Sequence, residues 1–152
     1  IAEASAVPTT HPDGDRHLPA DHAALAGLRI LVVDDNPINR LTIRALLSAN
    51  APVISEAENG AVALSMLAEQ GCDLVLLDGH MPVMDGMETI QRIRAADQPW
   101  RDCPVIALTA DAMSGDRERF LNAGMDGYVS KPIDRHALIA EILTVLHQKR
   151  SV

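Results

Sequence analysis

Carboxylate, hydroxyl and ammonium side chains follow the ends of short apolar runs in this 152-residue sequence. Asp34 and Asp35 follow the run ILVV, and Asp78 follows the run LVLL. An ionised carboxylate at the end of a buried run is costly unless a cation, hydrogen bonds or a sheet edge accommodates it. Thr109 ends another apolar run, and Lys131 comes just after a further one. A carboxylate nucleophile, oxygen ligands for Mg²⁺, a lysine and a hydroxyl are together the parts for forming an aspartyl phosphate.

Each of these residues also has a purely structural interpretation. Asp34 or Asp35 could cap the helix that follows, and Asp78 could be an incidental acid at a strand end. Thr109 could be an ordinary β-branched strand residue, and Lys131 could be a surface lysine. The choice between the two interpretations depends on whether the fold brings these side chains together.

The elements that must position these residues are read from the pattern of apolar positions. Short aliphatic runs alternate with amphipathic segments from residue 28 onward, which is typical of a parallel sheet covered by helices on both faces. The sequence therefore predicts a doubly wound α/β domain. The predicted strands are 29–34, 53–57, 73–78, 104–109 and 127–130, and the predicted helices are 37–49, 59–70, 86–96, 112–123 and 134–148.

Ligands of such folds bind outside the carboxyl ends of the strands. The three acids, the hydroxyl and the ammonium are all predicted at that edge, which favours the chemical interpretation over the structural one.

Helix boundaries have their own signals: Asn36 before Pro37 and Asn59 are typical N-caps, and Gly71 and Gly124 are typical helix stops.

Two residues near Asp78 need separate interpretations. Asp85 and Glu88 have the D-x-x-E spacing of a capping box, so Asp85 is interpreted as a helix cap. The side chain of His80 could be a metal ligand or a general base, but a loop histidine without a partner is expected to face solvent.

Composition excludes several classes of function. A net charge of −8 without a Lys/Arg cluster argues against nucleic-acid binding. No apolar run reaches the roughly 18 residues of a membrane span, so no membrane contact by this chain is expected. Cys72 and Cys103 lack a metal-ligand spacing and are expected to be free thiols in a reducing, cytoplasmic compartment.

Three regions of unequal length are predicted along the chain. Residues 1–27 are rich in Ala, Pro, His and Asp and are expected to be a largely flexible linker, whose histidines (His11, His17 and His22) are expected to be solvated. Residues 28–149 form the predicted domain, and residues 150–152 form a short tail. Because the sequence starts at Ile1 rather than Met, it is expected to be a fragment of a longer protein.

Four stretches, in order and with matching spacing, resemble the receiver domain of two-component response regulators over residues 28–148. They are LVVDDNPINR (31–40), LVLLDGHMPVMDG (74–86), VIALTADA (105–112) and GYVSKPI (127–133). The resemblance implies a flavodoxin-like sheet with strand order 2-1-3-4-5. It also implies that a phosphohistidine on a partner protein donates a phosphoryl group to Asp78.

The resemblance further implies a metal-binding role for the residues around Asp78. Asp35 is expected to ligate Mg²⁺ directly, together with Asp78, whereas Asp34 is expected to act through water. The backbone carbonyl of His80 is expected to be the third protein ligand. His80 and Asp111 also match positions that tune self-dephosphorylation in this family, which is the only slow enzymatic activity expected of the chain itself.

The remaining matched residues are expected to respond to phosphorylation. Lys131 is expected to pair with the phosphoryl group, and its bond to Pro132 is expected to be cis. Thr109 matches a switch hydroxyl and Tyr128 an aromatic switch, which together are expected to remodel the surface around helix 4, strand 5 and helix 5.

The amino-acid sequences of these motifs favour one kind of receiver. They resemble the C-terminal receiver of hybrid histidine kinases, so the expected partners are the dimerisation domain of a histidine kinase and a histidine phosphotransfer protein. The parent chain would then be a kinase that could be membrane-anchored. The alternatives are a stand-alone response regulator and a degenerate receiver that only docks proteins. An aspartyl-nucleophile phosphatase is disfavoured because His80 stands where its second acid would be required.

Overall fold

Five parallel strands form a single sheet in the computed structural model, which describes residues 25–79, 85–109 and 116–150. The strand order is β2-β1-β3-β4-β5, so the predicted doubly wound α/β fold and its 2-1-3-4-5 order are confirmed. The strands are β1 (Arg29–Val33), β2 (Val53–Ala57), β3 (Leu74–Asp78), β4 (Val105–Thr109) and β5 (Gly127–Ser130).

A helix follows each strand within the described ranges, as the alternating pattern predicts. The helices are α1 (Pro37–Leu47), α2 (Gly60–Gln70), α3 (Gly86–Ala95), α4 (Asp116–Asn122) and α5 (Arg135–Arg150), with short 3₁₀ segments at Ser48–Asn50 and Pro99–Asp102. The predicted last turn of α1 is therefore a 3₁₀ turn, which tightens the helix end. The first residues of the predicted fourth helix, 112–115, lie outside the described residues. No helix in the described ranges is both long and apolar enough to cross a membrane.

The predicted helix caps are confirmed by their hydrogen bonds. The Oδ1 atom of Asn36 accepts from the backbone N–H of Ile38 at 2.8 Å, with Pro37 in the first helical turn. Asn59 and Asp85 cap α2 and α3 in the same way, each with a 2.9 Å bond from the N–H three residues on. Such caps satisfy backbone donors that a helix leaves free at its start. They fix the residues at which α1, α2 and α3 begin.

Each face of the sheet carries its own apolar core. Leu31 and Val33 of β1 pack on one side, against α2, α3 and Phe120, and Ile30 and Val32 pack on the other, against α1 and α5. Alternation of side chains along a strand produces this division. Leu25 is fully buried in the second core although it falls within the predicted linker. The packed domain therefore includes at least three residues ahead of the predicted boundary at 28.

Arg94 of α3 ties this helix to two loops at the amino-terminal end of the sheet. Its guanidinium donates to the carbonyl oxygens of Arg101 (2.7 Å), Cys103 (2.8 Å) and Gly124 (2.9 Å). It also pairs with the carboxylate of Asp126 at 2.9 Å, where both side chains are mostly buried. The planar fork of arginine suits such a set of acceptors. One side chain therefore holds α3 against the segments that lead into β4 and β5.

We expect Arg94→Met to lower the free energy of unfolding by about 2 to 4 kcal/mol, because it leaves Asp126 and three carbonyls without their charged donor. Urea unfolding would measure this change. Arg92→Met on the same helix is the matched control, since Arg92 pairs with exposed Glu88. It should cost no more than about 0.5 kcal/mol. Equal losses for the two variants would contradict a central role for Arg94.

Candidate functional site at the carboxyl edge of the sheet

The sequence-predicted side chains lie at one edge of the sheet. Asp34 and Asp35 directly follow β1, Asp78 and Thr109 are the last residues of β3 and β4, and Lys131 directly follows β5. The strand register carries this alignment, since Asp78 pairs with Leu108 in β4 and Thr109 pairs with Ser130 in β5. The convergence predicted from the sequence is therefore present.

The three carboxylates form a cluster in which one ligand oxygen from each lies within 4.8 Å of the others. Asp34 is fully buried, Asp78 is only 4% exposed, and Asp35 faces solvent. Like charges at this separation repel one another unless a cation or hydrogen bonds offset them. The electrostatics of this edge therefore depend on what surrounds the carboxylates.

The buried carboxylate of Asp34 is held through one of its oxygens. Oδ1 accepts from the backbone N–H of Asn36 at 2.9 Å and from the side-chain amide of Asn39 at 3.4 Å. The other oxygen, Oδ2, is buried and has no hydrogen-bond donor in the described part of the chain. The Asp34 backbone carbonyl in turn accepts from Arg40 at 2.6 Å, which holds the turn before α1 in place. A fixed carboxylate thus presents to the cluster one oxygen that accepts no hydrogen bond among the described residues.

Lys131 supplies the positive charge of this group. Its Nζ lies 3.4 Å from Oδ1 of Asp78 and 3.6 Å from Oδ2 of Asp34. Its backbone N–H donates to the carbonyl of Thr109 at 2.7 Å, which ties it to the end of β4. The peptide bond between Lys131 and Pro132 is cis, as the resemblance implies. One ammonium cannot neutralise three ionised carboxylates, so this group of four side chains retains an excess of negative charge.

This donor set fits a hard divalent cation. Mg²⁺ prefers carboxylate oxygens, needs only one or two of them, and keeps several waters. The orphaned Oδ2 of buried Asp34 and the exposed carboxylate of Asp35 are the features of this edge that such an ion would complement. His80, whose carbonyl is the expected third ligand, lies outside the described residues, as does Asp111.

The two expected switch residues lie on the neighbouring strands β4 and β5. Thr109 is fully buried at the edge itself. Tyr128 is half-buried against the core that contains Phe120, and it pairs in register with Ala107 rather than with Thr109. The backbone N–H of Tyr128 donates to the carboxylate of Glu141 at 2.9 Å, which links β5 to α5. Sequence inspection did not single out Glu141, because a bond across 13 residues has no local signature.

Two glycines allow other elements to approach the backbone of Asp78. A Cβ atom on Gly86 would lie 2.8 Å from the Asp78 carbonyl oxygen and 2.8 Å from the Cα of Gly79. A Cβ atom on Gly79 would lie 2.5 Å from Cζ of Phe120, the buried aromatic of α4. The start of α3 and the ring of Phe120 therefore pack directly on the segment that follows Asp78. The motif contains both glycines, but sequence alone did not indicate what they approach.

An open cleft lies beside Lys131, between α1 and the connection from β5 to α5. Asn39 and Thr42 of α1 line one side, and Pro132 and Ile133 line the other, with Asp34 at its floor. The first exposed turns of α1 carry two apolar side chains, Ile38 and Leu41, which are 65% and 61% exposed. The acidic edge is thus bordered by an accessible and partly apolar helix.

Comparison with known proteins places these residues in a family. A family model described as the response regulator receiver domain matches residues 30–143. The chain is 38% identical over 117 residues to the sensor protein GacS of Pseudomonas syringae pv. syringae, covering 76% of this chain but only 13% of that protein. It is 40% identical over 115 residues to the two-component response regulator ORR41 of Oryza sativa subsp. japonica, covering 73% of this chain and 88% of that protein.

A solved structure shows the same architecture. The receiver domain of the sensor histidine kinase PA1611 from Pseudomonas aeruginosa PAO1 superposes with a TM-score of 0.69 at 39% identity, covering 81% of this chain and 97% of that one. That structure is described with a magnesium ion coordinated in its active-site cleft.

The close approach at Gly86 generates a prediction for stability. We expect Gly86→Ala to lower the free energy of unfolding by about 1 to 3 kcal/mol, because the new methyl group meets the backbone of Asp78 and Gly79. Alanine otherwise favours a helix over glycine, so the sign of the change tests the contact. Gln91→Ala, at an exposed position of the same helix, should change stability by less than about 0.5 kcal/mol. Stabilisation by Gly86→Ala in urea unfolding would contradict the close approach.

Proposed function

This chain belongs to the response regulator receiver domain family, and on that premise we propose that Asp78 accepts a phosphoryl group from a phosphohistidine of a two-component phosphorelay. The observation that carries the proposal is the cluster of Asp34, Asp35 and Asp78 with Lys131 at the carboxyl edge of the sheet. A degenerate receiver would be expected to have lost one of these groups, whereas this chain retains them all.

The proposed transfer starts with the carboxylate of Asp78 as the nucleophile. It is the last residue of β3, between β1 and β4, and its Oδ1 lies 3.4 Å from Nζ of Lys131. One carboxylate oxygen attacks phosphorus in line with the phosphorus–nitrogen bond of the donor histidine, that bond breaks, and the imidazole leaves with the electron pair. Lys131 then offsets the added negative charge, and the hydroxyl of Thr109 donates to a phosphoryl oxygen.

We assign the metal of this reaction to Asp34, Asp35 and Asp78, with the carbonyl of His80 as the remaining protein ligand. The orphaned oxygen of Asp34 and the excess negative charge of the cluster support this assignment. When bound there, Mg²⁺ supplies neutralisation of the charge on the transferring group. Asp34 is oriented for this role by the donors from Asn36 and Asn39.

The output of phosphorylation is proposed to be a changed surface around α4, β5 and α5. A phosphoryl group brings further negative charge and acceptor oxygens to the end of β3, beside Thr109. Phe120 of α4 packs on Gly79 next to Asp78, and β5 is bonded to α5 through Glu141. A second arrangement of Thr109 and Tyr128 could thus be favoured by differential interaction with the phosphoryl group.

The context of the domain is proposed to be a hybrid histidine kinase. Similarity to GacS and to the sensor histidine kinase RcsC of Salmonella typhi supports this, and the chain spans about 13% of the length of each. The receiver, predicted over residues 28–149 but packed from Leu25 onward, would then be preceded by a linker and followed by a short tail. The donor would be the dimerisation-domain histidine of a kinase, and the acceptor of the next step a histidine phosphotransfer protein. Similarity to ORR41 keeps a stand-alone regulator as the alternative.

The phosphohistidine partner is proposed to dock on α1. Ile38 and Leu41 are exposed apolar residues on the helix that begins three residues after Asp34. Burying them against a partner helix would hold a histidine over the cleft beside Lys131.

The phosphoacceptor assignment is tested by intact-protein mass after incubation with acetyl phosphate and Mg²⁺. Wild type should gain one phosphoryl group, about 80 Da, and Asp78→Asn should gain none because its amide is not a nucleophile. Asp85→Asn is the matched control, since Asn also caps a helix and the residue lies at the start of α3. It should be labelled like wild type, and chelating the metal beforehand should abolish labelling.

If wild type gains no mass, the stable phosphoryl mimic beryllofluoride would be added instead. Its binding would be monitored by the change in backbone amide signals. Absence of any response to both reagents would contradict phosphorylation and favour the docking module.

The docking surface is tested by comparing two donors. The double variant Ile38→Ala/Leu41→Ala should slow transfer from a phosphorylated histidine phosphotransfer protein by about tenfold or more, because it truncates the exposed apolar contact. Its labelling by acetyl phosphate should be unchanged, since that small donor does not use α1. Val62→Ala, an exposed apolar residue of α2, should affect neither reaction. Equal slowing with both donors would mean that the variant disturbs the acidic edge instead.

A further inference from the structure

The two cysteines of the chain lie next to each other at the amino-terminal edge of the sheet, opposite Asp78. Cys72 is two residues ahead of β3, and Cys103 is two residues ahead of β4. Both are free thiols, and both contact the core on the α2–α3 face of the sheet. They are 31 positions apart in sequence, so no local spacing pattern indicates that they meet.

The register of β3 and β4 brings the backbones of the two cysteines together. Val75 pairs with Val105, and the N–H of Val75 donates to the carbonyl of Pro104 at 2.9 Å. Counting back along both strands sets Cys103 opposite Asp73, one residue past Cys72, and continuing the strand spacing of about 4.8 Å and the rise of about 3.3 Å gives a Cα separation of roughly 6 Å. Because side chains alternate along a regular strand, the shared face of the two thiols comes from the irregular segment ahead of β3, where Gly71 has a φ of 65°. Disulfides span Cα separations of roughly 4.4 to 6.8 Å.

The two thiols also interact directly, and their surroundings make them unequal. Interaction with the Cys72 thiol lowers the pKa of Cys103, with a smaller lowering by the Arg94 guanidinium and an opposing effect of burial. Interaction with Cys103, followed by burial, raises the pKa of Cys72. These directions favour Cys103 over Cys72 as the thiolate of the pair.

Solvent reaches this pair from the side of Cys72. Cys103 is only 8% exposed, whereas Cys72 is half-buried and lines a surface groove with Gly71, Gln98 and Trp100. A small oxidant can therefore reach the pair through the groove, while a second protein molecule would find Cys103 largely covered. This arrangement favours a bond within the chain over one between chains.

We propose that Cys72 and Cys103 form a reversible intramolecular disulfide, a modification site at the end of the sheet opposite Asp78. With hydrogen peroxide as the oxidant, the Cys103 thiolate attacks one peroxide oxygen, the O–O bond breaks, and Cys103 becomes a sulfenic acid as one water leaves. The sulfur of Cys72 then attacks the sulfenic sulfur, the S–O bond breaks, and the second water leaves. Two thiols lose two protons and two electrons, and one peroxide becomes two waters.

The disulfide would close a loop that contains β3, α3 and the 3₁₀ segment Pro99–Asp102. Closing such a loop restricts the unfolded chain and should stabilise the fold if the bond forms without strain. The proposal stands on the thiol pair alone and does not depend on phosphorylation of Asp78.

The test is intact-protein mass of the reduced protein after treatment with hydrogen peroxide. Wild type should lose about 2 Da as two thiol hydrogens leave, become resistant to alkylation by iodoacetamide after unfolding, and return to two reactive thiols with dithiothreitol. Cys72→Ser and Cys103→Ser should each abolish the loss. Cys72 is the more exposed of the two thiols, so Cys72→Ser should disturb the core less. It therefore tests the disulfide even if Cys103→Ser does not fold.

The native geometry is tested by repeating the oxidation in urea. Native protein should form the disulfide about tenfold faster or more than unfolded protein, because the fold holds the thiols together. The oxidised protein should also unfold at higher urea, followed by the fluorescence of Trp100, the only tryptophan. Equal rates in both states, a covalent dimer, or gain of oxygen mass without the 2 Da loss would each overturn the proposal.

Discussion

The structure depends on bringing three carboxylates within 4.8 Å of one another at the end of a buried sheet. Such a cluster is unfavourable by itself, and the chain offsets it with fixed donors. Asn36 and Asn39 bond one oxygen of buried Asp34, and Lys131 reaches both Asp34 and Asp78. The other oxygen of Asp34 faces Nζ of Lys131 at 3.6 Å but accepts no hydrogen bond among the described residues. The fold therefore stabilises the acids only in part, and the remaining negative charge is what a bound cation would complement.

Arg40 bonds this edge to α1, whereas close packing connects it to α3 and α4. Gly86 brings the start of α3 onto the Asp78 carbonyl, and Gly79 leaves room for the ring of Phe120. Close-packed contacts of this kind do not deform gradually, because there is little free volume to absorb a change. Added charge at Asp78 should therefore shift α4 between discrete positions. This is the physical basis on which a local chemical event could alter a surface several residues away.

Local sequence signals predicted the elements well and the contacts between them less well. Aliphatic runs located the strands to within one residue, and Asn36, Asn59 and Asp85 cap the helices as predicted, because these signals act over a few residues. The carboxyl-edge rule then placed the site. The four bonds of Arg94, the Gly79–Phe120 contact and the Cys72–Cys103 pair were missed because each joins distant segments. Burial of Leu25 was missed for the same reason, since it lies in a stretch without periodicity.

The β3–β4 ladder connects the two ends of the sheet at which chemistry is proposed. Its register runs from Val75 opposite Val105 to Asp78 opposite Leu108, so it separates the cysteine pair from the acidic edge by the length of one strand. A disulfide at one end would prevent the two strands from sliding past each other. The contacts proposed to respond to phosphorylation lie instead in Thr109, Tyr128 and the packing of Phe120, beyond or beside the ladder. The proposed disulfide would therefore act on the stability of this strand pair, whereas the proposed phosphorylation would act on contacts outside the β3–β4 ladder.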